Sequence, residues 1–317
     1  MNVADIVTEF DAYYINSGQN MARLIQILNE KSITEECFTT VITDDTKWKA
    51  AQSEVSRLLQ PFQKAWTPLG TVSFKPVSID QFPFKMDFED YPDELEATWL
   101  GFLADGNLDR SVWPFIRWLT ETHILPKIKE DYELNEIFSG VQDDPTPGTA
   151  GAISTAMNGI KQVRNFWISE SRISPIATGA LATDPSAFVS QIEDFADAIN
   201  TKYWMQNMEL NMSQTLAKRY RRGYRSLYGK DTDFNGIKTT VEDTNLVIKG
   251  LPSHEGSNII WCTPKSNAIR LMKKSQNMER VRVETAKRQI HLFTDFYSGI
   301  GFAIPEIVFT NNLELPA

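Results

Sequence analysis

The chain has 317 residues and a formal net charge of −9, with 42% hydrophobic and 23% charged residues, proportions that exclude a disordered or coiled-coil protein. Residues 1–150 carry 12 basic and 25 acidic side chains, whereas residues 151–317 carry 20 basic and 16 acidic ones. One half is suited to contact the other half of a neighbouring copy, or the basic parts a polyanion, and the alternative is that each excess is a solvated face. The chain lacks any run of 18 apolar residues, so no membrane span is predicted.

Two further features bear on the compartment. Asp5 and Glu9 interrupt the first ten residues, which argues against a signal peptide. Cys37 and Cys262 are the only cysteines, so we expect no disulfide framework and a protein made in a reducing compartment.

The pattern of the first 90 residues is more typical of extended arms than of the core of a domain. Apolar residues at helical spacing predict two short helices within residues 1–31, which we expect to pack on another chain because little apolar surface lies nearby. Residues 46–65 predict a helix interrupted by Pro61. Residues 67–88 predict proline-edged strands that form a protruding β-arm. Because an isolated hairpin is marginally stable, we expect the arm to contact another subunit through Trp66, Phe74, Phe82 and Phe84.

The next segment predicts the longest helix. Pro92 suits the first turn of a short helix that ends near Gly106. From Asp109 to about Phe138 the apolar spacing predicts one helix of about 40–45 Å. Pro126 should kink this helix. The Pro- and Gly-containing residues 143–151 then predict a linker and domain boundary.

The remainder predicts a mixed α/β region. We expect helices over Ile153–Ile168, after an Asp184 cap, and from Asn211 to Gly229. Strands are expected over Tyr203–Leu210, over residues 246–251 and 259–263, and in the last 38 residues. There Gly299 and Gly301 predict a hairpin or bulge.

No catalytic, cofactor-binding or metal-binding constellation is predicted. His123, His254 and His291 are too far apart for metal-ligand spacing. There is no Gly-x-Ser-x-Gly elbow, although a Ser/His/Asp set can assemble from distant positions. Glu35 and Glu36 beside Cys37 disfavour its thiolate.

One basic cluster stands out on the predicted helix that follows Asn211. It is suited to contact nucleic-acid phosphates or an acidic neighbouring subunit, and the alternative is a solvated helix end. Its members are Lys218, Arg219, Arg221, Arg222 and Arg225.

The order of these parts resembles the major capsid proteins of tailed phages, the HK97-type fold. Residues 74–96 (FKPVSIDQFPFKMDFEDYPDELE) look like the return strand of that family's extended loop, and residues 127–140 (KIKEDYELNEIFSG) look like the end of its spine helix. Residues 205–228 and 251–267 are similar to parts of its axial domain and closing strands.

The resemblance implies an α+β fold with a defined order of regions. These are an N-terminal arm (1–40), an extended loop (41–89), a peripheral domain with the spine helix (90–142, completed by strands in 268–310), an axial domain (143–267) and a C-terminal tail (311–317).

The resemblance also implies a structural protein, not an enzyme. Copies would form pentamers and hexamers of an icosahedral head shell around double-stranded DNA, which the chain would contact without sequence specificity. Assembly would take place in the bacterial host cytoplasm and end in the virion. Separate scaffolding, portal and decoration proteins are implied as partners, with no membrane contact. Two alternatives remain: an encapsulin-like shell, and a two-domain soluble enzyme.

Overall fold

A computed structural model describes residues 3–15, 18–110, 112–228, 239–274 and 281–315. The helices are α1 (Val3–Phe10), α2 (Gly18–Asn29), α3 (Pro92–Asp105), α4 (Phe115–Trp118), α5 (Leu125–Asp131), α6 (Ile160–Ser169), α7 (Pro185–Asp197) and α8 (Gln214–Tyr228). The strands are β1 (Thr39–Ile42), β2 (Lys47–Val55), β3 (Val72–Asp80), β4 (Phe82–Asp90), β5 (Met208–Ser213), β6 (Leu246–Leu251), β7 (Trp261–Pro264), β8 (Ala268–Met272), β9 (Arg282–Ala286), β10 (Gln289–Phe302) and β11 (Phe309–Thr310).

Strand β10 organises the larger, five-stranded sheet. It pairs antiparallel with β4 along one edge and with β9 and then β8 along the other, and β8 pairs in parallel with β1. The predicted hairpin or bulge at Gly299 and Gly301 is wrong, because both residues lie inside β10 and pair with β8. Gly299 is needed for close packing: a Cβ there would lie 2.2 Å from the carbonyl oxygen of Asp80.

The four-stranded sheet has two helices, α7 and α8, packed on it. Its order is β11-β7-β5-β6, with β5 and β6 parallel. The predicted cap of α7 is confirmed, because Asp184 Oδ2 accepts a hydrogen bond from Ala187 N (2.9 Å). The apolar stripe of α7 and the buried face of α8 form one core with this sheet, and Cys262 on β7 is buried in it.

The long helix is shorter than predicted. It begins at Phe115, because Pro114 is its extended N-cap residue, and it runs to Glu136, so its length is about 33 Å. A π-helical turn (Leu119–Ile124) precedes Pro126, and a second (Tyr132–Glu136) ends the helix. Wider turns of this kind break the regular hydrogen-bond ladder, which a proline, lacking an N–H, cannot complete.

Four other predicted elements differ from the structure. Residues 46–65 are not helical: β2 pairs with all nine residues of β3, and this cross-strand partner overrides the helical spacing. The helix predicted over Ile153–Ile168 begins only at Ile160, after the extended Gly159. The strand predicted over Tyr203–Leu210 begins at Met208, since Tyr203 ends a short 3₁₀ turn. It continues to Ser213, so the helix predicted from Asn211 begins only at Gln214. The predicted helix end at Gly229 lies outside the described residues.

The N-terminal helices pack on their own chain. Ile6, Phe10 and Tyr14 are buried against α3, the start of the long helix, and β9 and β10. The expectation that residues 1–31 need a neighbouring chain for their apolar side chains is therefore wrong, because this core is assembled from segments distant in sequence. In the described part of the chain, no helix is long and apolar enough to cross a membrane.

The close contact of α7 and α8 gives a test of the packing. A Cβ at Gly223 would lie 1.9 Å from the carbonyl oxygen of Pro185. We expect Gly223→Ala to lower the free energy of unfolding by about 1–3 kcal/mol, through overpacking. Gly101→Ala is the control: in α3 nothing lies within 4 Å of the added Cβ, so this change should raise stability by about 0.5–1 kcal/mol. Chemical denaturation of both variants measures the contrast, and equal effects would contradict the packing.

Candidate functional site

The most exposed apolar surface lies on the β2–β3 arm. Residues 56–71 join the two strands, and the backbone N–H of Ser56 donates to the carbonyl oxygen of Thr71 (3.1 Å) at the end of the ladder. Phe62 and Trp66 are 92% and 91% exposed. Leu58, Leu59 and Leu69 add further exposed apolar surface. This loop contains two basic and no acidic residues, so it is both apolar and positively charged.

The four arm residues predicted from the sequence fall into two pairs. Trp66 and Phe74 are exposed on the arm. Phe82 and Phe84 lie on β4, half-buried against their own chain, where Phe84 stacks on Phe296 with ring centroids 4.9 Å apart. Trp66 and Phe74 therefore remain accessible on the surface of the arm, whereas Phe82 and Phe84 pack against the body of their own chain.

Sequence reasoning missed the most exposed aromatic residue of the arm. Phe62 was assigned, with Leu58 and Leu59, to the apolar face of a helix. The signal against a helix was local: Pro61 precedes Phe62, and Pro68 follows six residues later. Two prolines at this spacing favour an irregular loop.

The predicted basic cluster lies on α8 and divides by exposure. Lys218, Arg222 and Arg225 are exposed and follow each other at i, i+4 and i+7, so they share one helix face. Arg219 is turned to its own chain, where its guanidinium donates to the carbonyl oxygen of Ala182 (2.9 Å). Arg221 is half-buried. We call Lys218, Arg222 and Arg225 the basic stripe.

A buried chain of hydrogen bonds includes the Ser–His pair at 253–254. Trp261 Nε1 lies 2.8 Å from His254 Nε2, and His254 Nδ1 lies 2.9 Å from Ser253 Oγ. Ser253 Oγ lies 2.6 Å from Thr34 Oγ1, which donates to Glu133 Oε1 (2.5 Å). These hydrogen bonds join the N-terminal segment, the end of the long helix and the loop before β7.

The direction of this chain follows from the indole, which can only donate. His254 Nε2 must accept from Trp261, so the neutral ring carries its proton on Nδ1 and donates to Ser253. Ser253 then donates to Thr34. A general base must instead accept the proton of its serine, so His254 cannot activate Ser253 as a nucleophile. The pair is a structural connection.

The two cysteines are also unsuited to act as nucleophiles. Burial raises the pKa of the Cys37 thiol to about 12 and raises the pKa of Cys262 as well, so neither is a thiolate near neutral pH. Among the described residues, no group of three or more His, Cys, Asp or Glu side chains is placed to hold a metal ion.

No protein-family model matches the sequence, and no curated protein matches it. Solved structures share its fold. A chain of the satellite phage P4 procapsid, a structure that includes the size-determination (Sid) protein, is 11% identical with a TM-score of 0.54, covering 93% of this chain and 98% of that one. The capsid of the native GTA particle (12% identity, TM-score 0.53, 89% and 96% covered) and the capsid of Myoviridae phage XM1 (12%, 0.52, 88% and 90%) are also similar. The predicted α+β, HK97-like fold is confirmed.

The buried histidine gives a test of the hydrogen-bond chain. Burial lowers the pKa of His254 from 6.5 to about 3. As the pH falls from 6.5 towards 3, the unfolded chain takes up a proton that the folded chain does not, so this residue should reduce the free energy of unfolding by about 1.4 kcal/mol per pH unit. In ¹⁵N NMR spectra we expect the His254 ring to stay neutral from pH 5 to 8 and to be protonated on Nδ1. An Nε2–H tautomer for His254, or a titration midpoint near pH 6.5, would contradict this chain of hydrogen bonds.

Proposed function

We propose that this chain is the major capsid protein of a tailed, double-stranded-DNA bacteriophage or prophage. The observation that carries the proposal is the two-way coverage of the structural likeness. Chains of three capsid or procapsid particles share the fold over 88–93% of this chain and 90–98% of their own length. The proposed role is structural, with no catalytic step.

The exposed arm supplies a physical reason for self-association. A ribbon with two largely uncovered aromatic side chains, Phe62 and Trp66, exposes apolar surface to water that a second copy would cover. An arm that contacts a different region of the next copy makes a head-to-tail contact, and such contacts close into rings. Pentamers and hexamers of an icosahedral shell are rings of this kind.

The basic stripe supports a second contact, with packaged DNA. Its three exposed cations lie along about 10 Å of one helix face, a spacing suited to successive phosphates. We propose that the stripe binds DNA without reading its sequence. The rival occupant of the stripe is an acidic surface of a neighbouring subunit.

The remaining parts of the proposal follow from the same assignment. The chain would be assembled in the host cytoplasm with separate scaffolding, portal and decoration proteins and would end in the virion. The division into an N-terminal arm, extended loop, peripheral domain, axial domain and tail at residues 40, 89, 142, 267 and 310 remains a prediction. Phe138, at the end of the long helix, packs in one core with Ile160 of α6, so the proposed boundary at residue 142 falls between two segments that pack together.

The arm is tested by removing its aromatic side chains. We expect Phe62→Ser with Trp66→Ser to reduce the assembled fraction at least tenfold, because two large apolar contacts are lost from each subunit interface. Light scattering after size-exclusion chromatography, with negative-stain microscopy, measures assembly of the chain co-produced with its phage neighbours. The midpoint of unfolding should stay unchanged, since both side chains are exposed.

A matched control separates the arm from exposed apolar residues in general. Ile153 is 77% exposed but lies outside the arm, so Ile153→Ser should assemble like the parent. Equal losses in both variants would remove the special role of the arm. A parent chain that stays monomeric with all its phage neighbours present would overturn the capsid proposal itself.

The basic stripe is tested by a graded charge series. Lys218→Gln with Arg222→Gln should weaken DNA retention in assembled shells, and the corresponding double Glu variant should weaken it further, with a smaller dependence on salt concentration. Nuclease-protected DNA per shell is the readout. Unchanged DNA with impaired ring formation would assign the stripe to a subunit contact instead.

A further inference from the structure

The β2–β3 arm has a root on the body of the protein. At the root the backbone N–H of Gln81 donates to the carbonyl oxygen of Thr46 (2.8 Å). Val77 and Ile79 on β3 are buried there. Farther out, β3 becomes exposed from Phe74 to Val72. Beyond Val77, side chains hold the ribbon to the body, and one of these contacts is a long ion pair between Lys75 on β3 and Glu306 (3.8 Å).

One arginine of the body supports both strands of the ribbon beyond the root. Arg172 Nη1 donates to the carbonyl oxygen of Pro76 on β3 (3.1 Å). Its Nη2 donates to Gln52 Oε1 on β2 (3.1 Å). Gln52 and Pro76 lie on adjacent rungs of the ladder, so a single guanidinium spans the width of the ribbon.

Arg172 is itself held from the body side. Its Nε and Nη2 donate to the two carboxylate oxygens of Glu306, at 2.8 and 3.2 Å, in a two-pronged ion pair. The guanidinium also lies over the Trp167 ring, 4.9 Å from its centroid. Glu306 belongs to the 3₁₀ turn before β11, and Trp167 to α6, so the arginine is fixed by two elements of the body.

The distances make this second support mechanically important. Pro76 directly precedes Val77, the outermost buried residue of the root, and four residues, or about 13 Å, lead from Pro76 to Val72 at the end of the ladder. The ladder therefore extends about 16 Å beyond Val77. A rotation of about 10° at the root would displace its end by about 3 Å, which is enough to break a side-chain contact.

We propose that Arg172 is the residue that sets the angle of the arm: it fixes the ribbon beyond the root, and without it only the root and the longer Lys75–Glu306 ion pair hold the ribbon, which then pivots. The consequence for assembly rests on the proposed capsid function, whereas the fixed angle does not. The Arg172–Glu306 ion pair lies outside the three main hydrophobic cores of the body, with side chains 14% and 27% exposed. Its loss should therefore redirect the arm without unfolding the chain.

The angle is measured on the unassembled full chain by electron–electron distance spectroscopy. Spin labels are placed at Ala65→Cys on the arm and at Ser190→Cys on the exposed face of α7. The native Cys37 and Cys262 are buried and stay unlabelled. The parent should give one narrow distance, and Arg172→Met should give a distribution at least twice as broad.

Two further variants make the result specific to the arginine fork. Arg172→Lys keeps the charge, but a single ammonium cannot replace the planar fork that binds Glu306, Pro76 and Gln52 together, so its distribution should be intermediate. Lys161→Met breaks an ion pair with Glu314 that lies away from the arm (side chains 38% and 25% exposed), and it should match the parent. A narrow, unshifted distance in Arg172→Met, in a chain that folds normally, overturns the proposal.

Microscopy of assemblies separates this proposal from the proposed function. We expect Arg172→Met to give fewer and misshapen shells. A broadened distance distribution together with normal shells would support the role of Arg172 in fixing the arm and overturn its consequence for assembly. If the parent never assembles, the capsid function fails, while the distance measurement still decides whether Arg172 sets the angle.

Discussion

A two-stranded ribbon has two faces and no interior, so its side chains cannot bury one another. The β2–β3 arm obeys this constraint in two different ways along its length. Near the root, Val77 and Ile79 are buried by the five-stranded sheet and its neighbours. At the far end, Phe62 and Trp66 remain in water. The direction of the ribbon between these ends must be imposed from outside, and the structure does this with Arg172.

The body is closed by contacts that join distant segments of the chain. Strand β10 pairs with three other strands, and Glu133, Thr34 and Ser253 connect the long helix, the N-terminal segment and the loop before β7. Near the C-terminus, the Arg164 guanidinium donates to the carbonyl oxygens of Asn311 (2.5 Å) and Leu313 (3.0 Å). Because a buried polar group without a partner is costly, these bonds fix which segments meet.

Local signals in the sequence predicted local structure well. Pro92 and Gly106 bracket α3, and Asp184 caps α7, because caps and breakers act within a few residues. Features that depend on distant partners were mispredicted. The helix predicted from residue 46 lost to the pairing of β2 (Lys47–Val55) with β3, and the glycines of β10 reflect the approach of Asp80 and Ile79.

The candidate surfaces were predictable in part, for the same reason. The basic residues of α8 are visible as a run in the sequence, but their division into the exposed stripe and the inward-facing Arg219 depends on Ala182, 37 positions away. Trp66 was identifiable from the arm alone. Arg172 was not, because nothing in its neighbourhood along the chain indicates that it binds Gln52, Pro76 and Glu306.

The burial pattern separates folding from association. The three main cores are complete within one chain, N-terminal helices included, so the body can fold before it meets a copy of itself. Copies with a net charge of −9 repel one another, but this repulsion is screened beyond about 8 Å in physiological salt. Burying an aromatic side chain contributes about 1.5–3 kcal/mol, so a single arm makes only a weak contact. In the proposed ring, several such contacts per subunit would add up, which would favour complete assemblies over dimers.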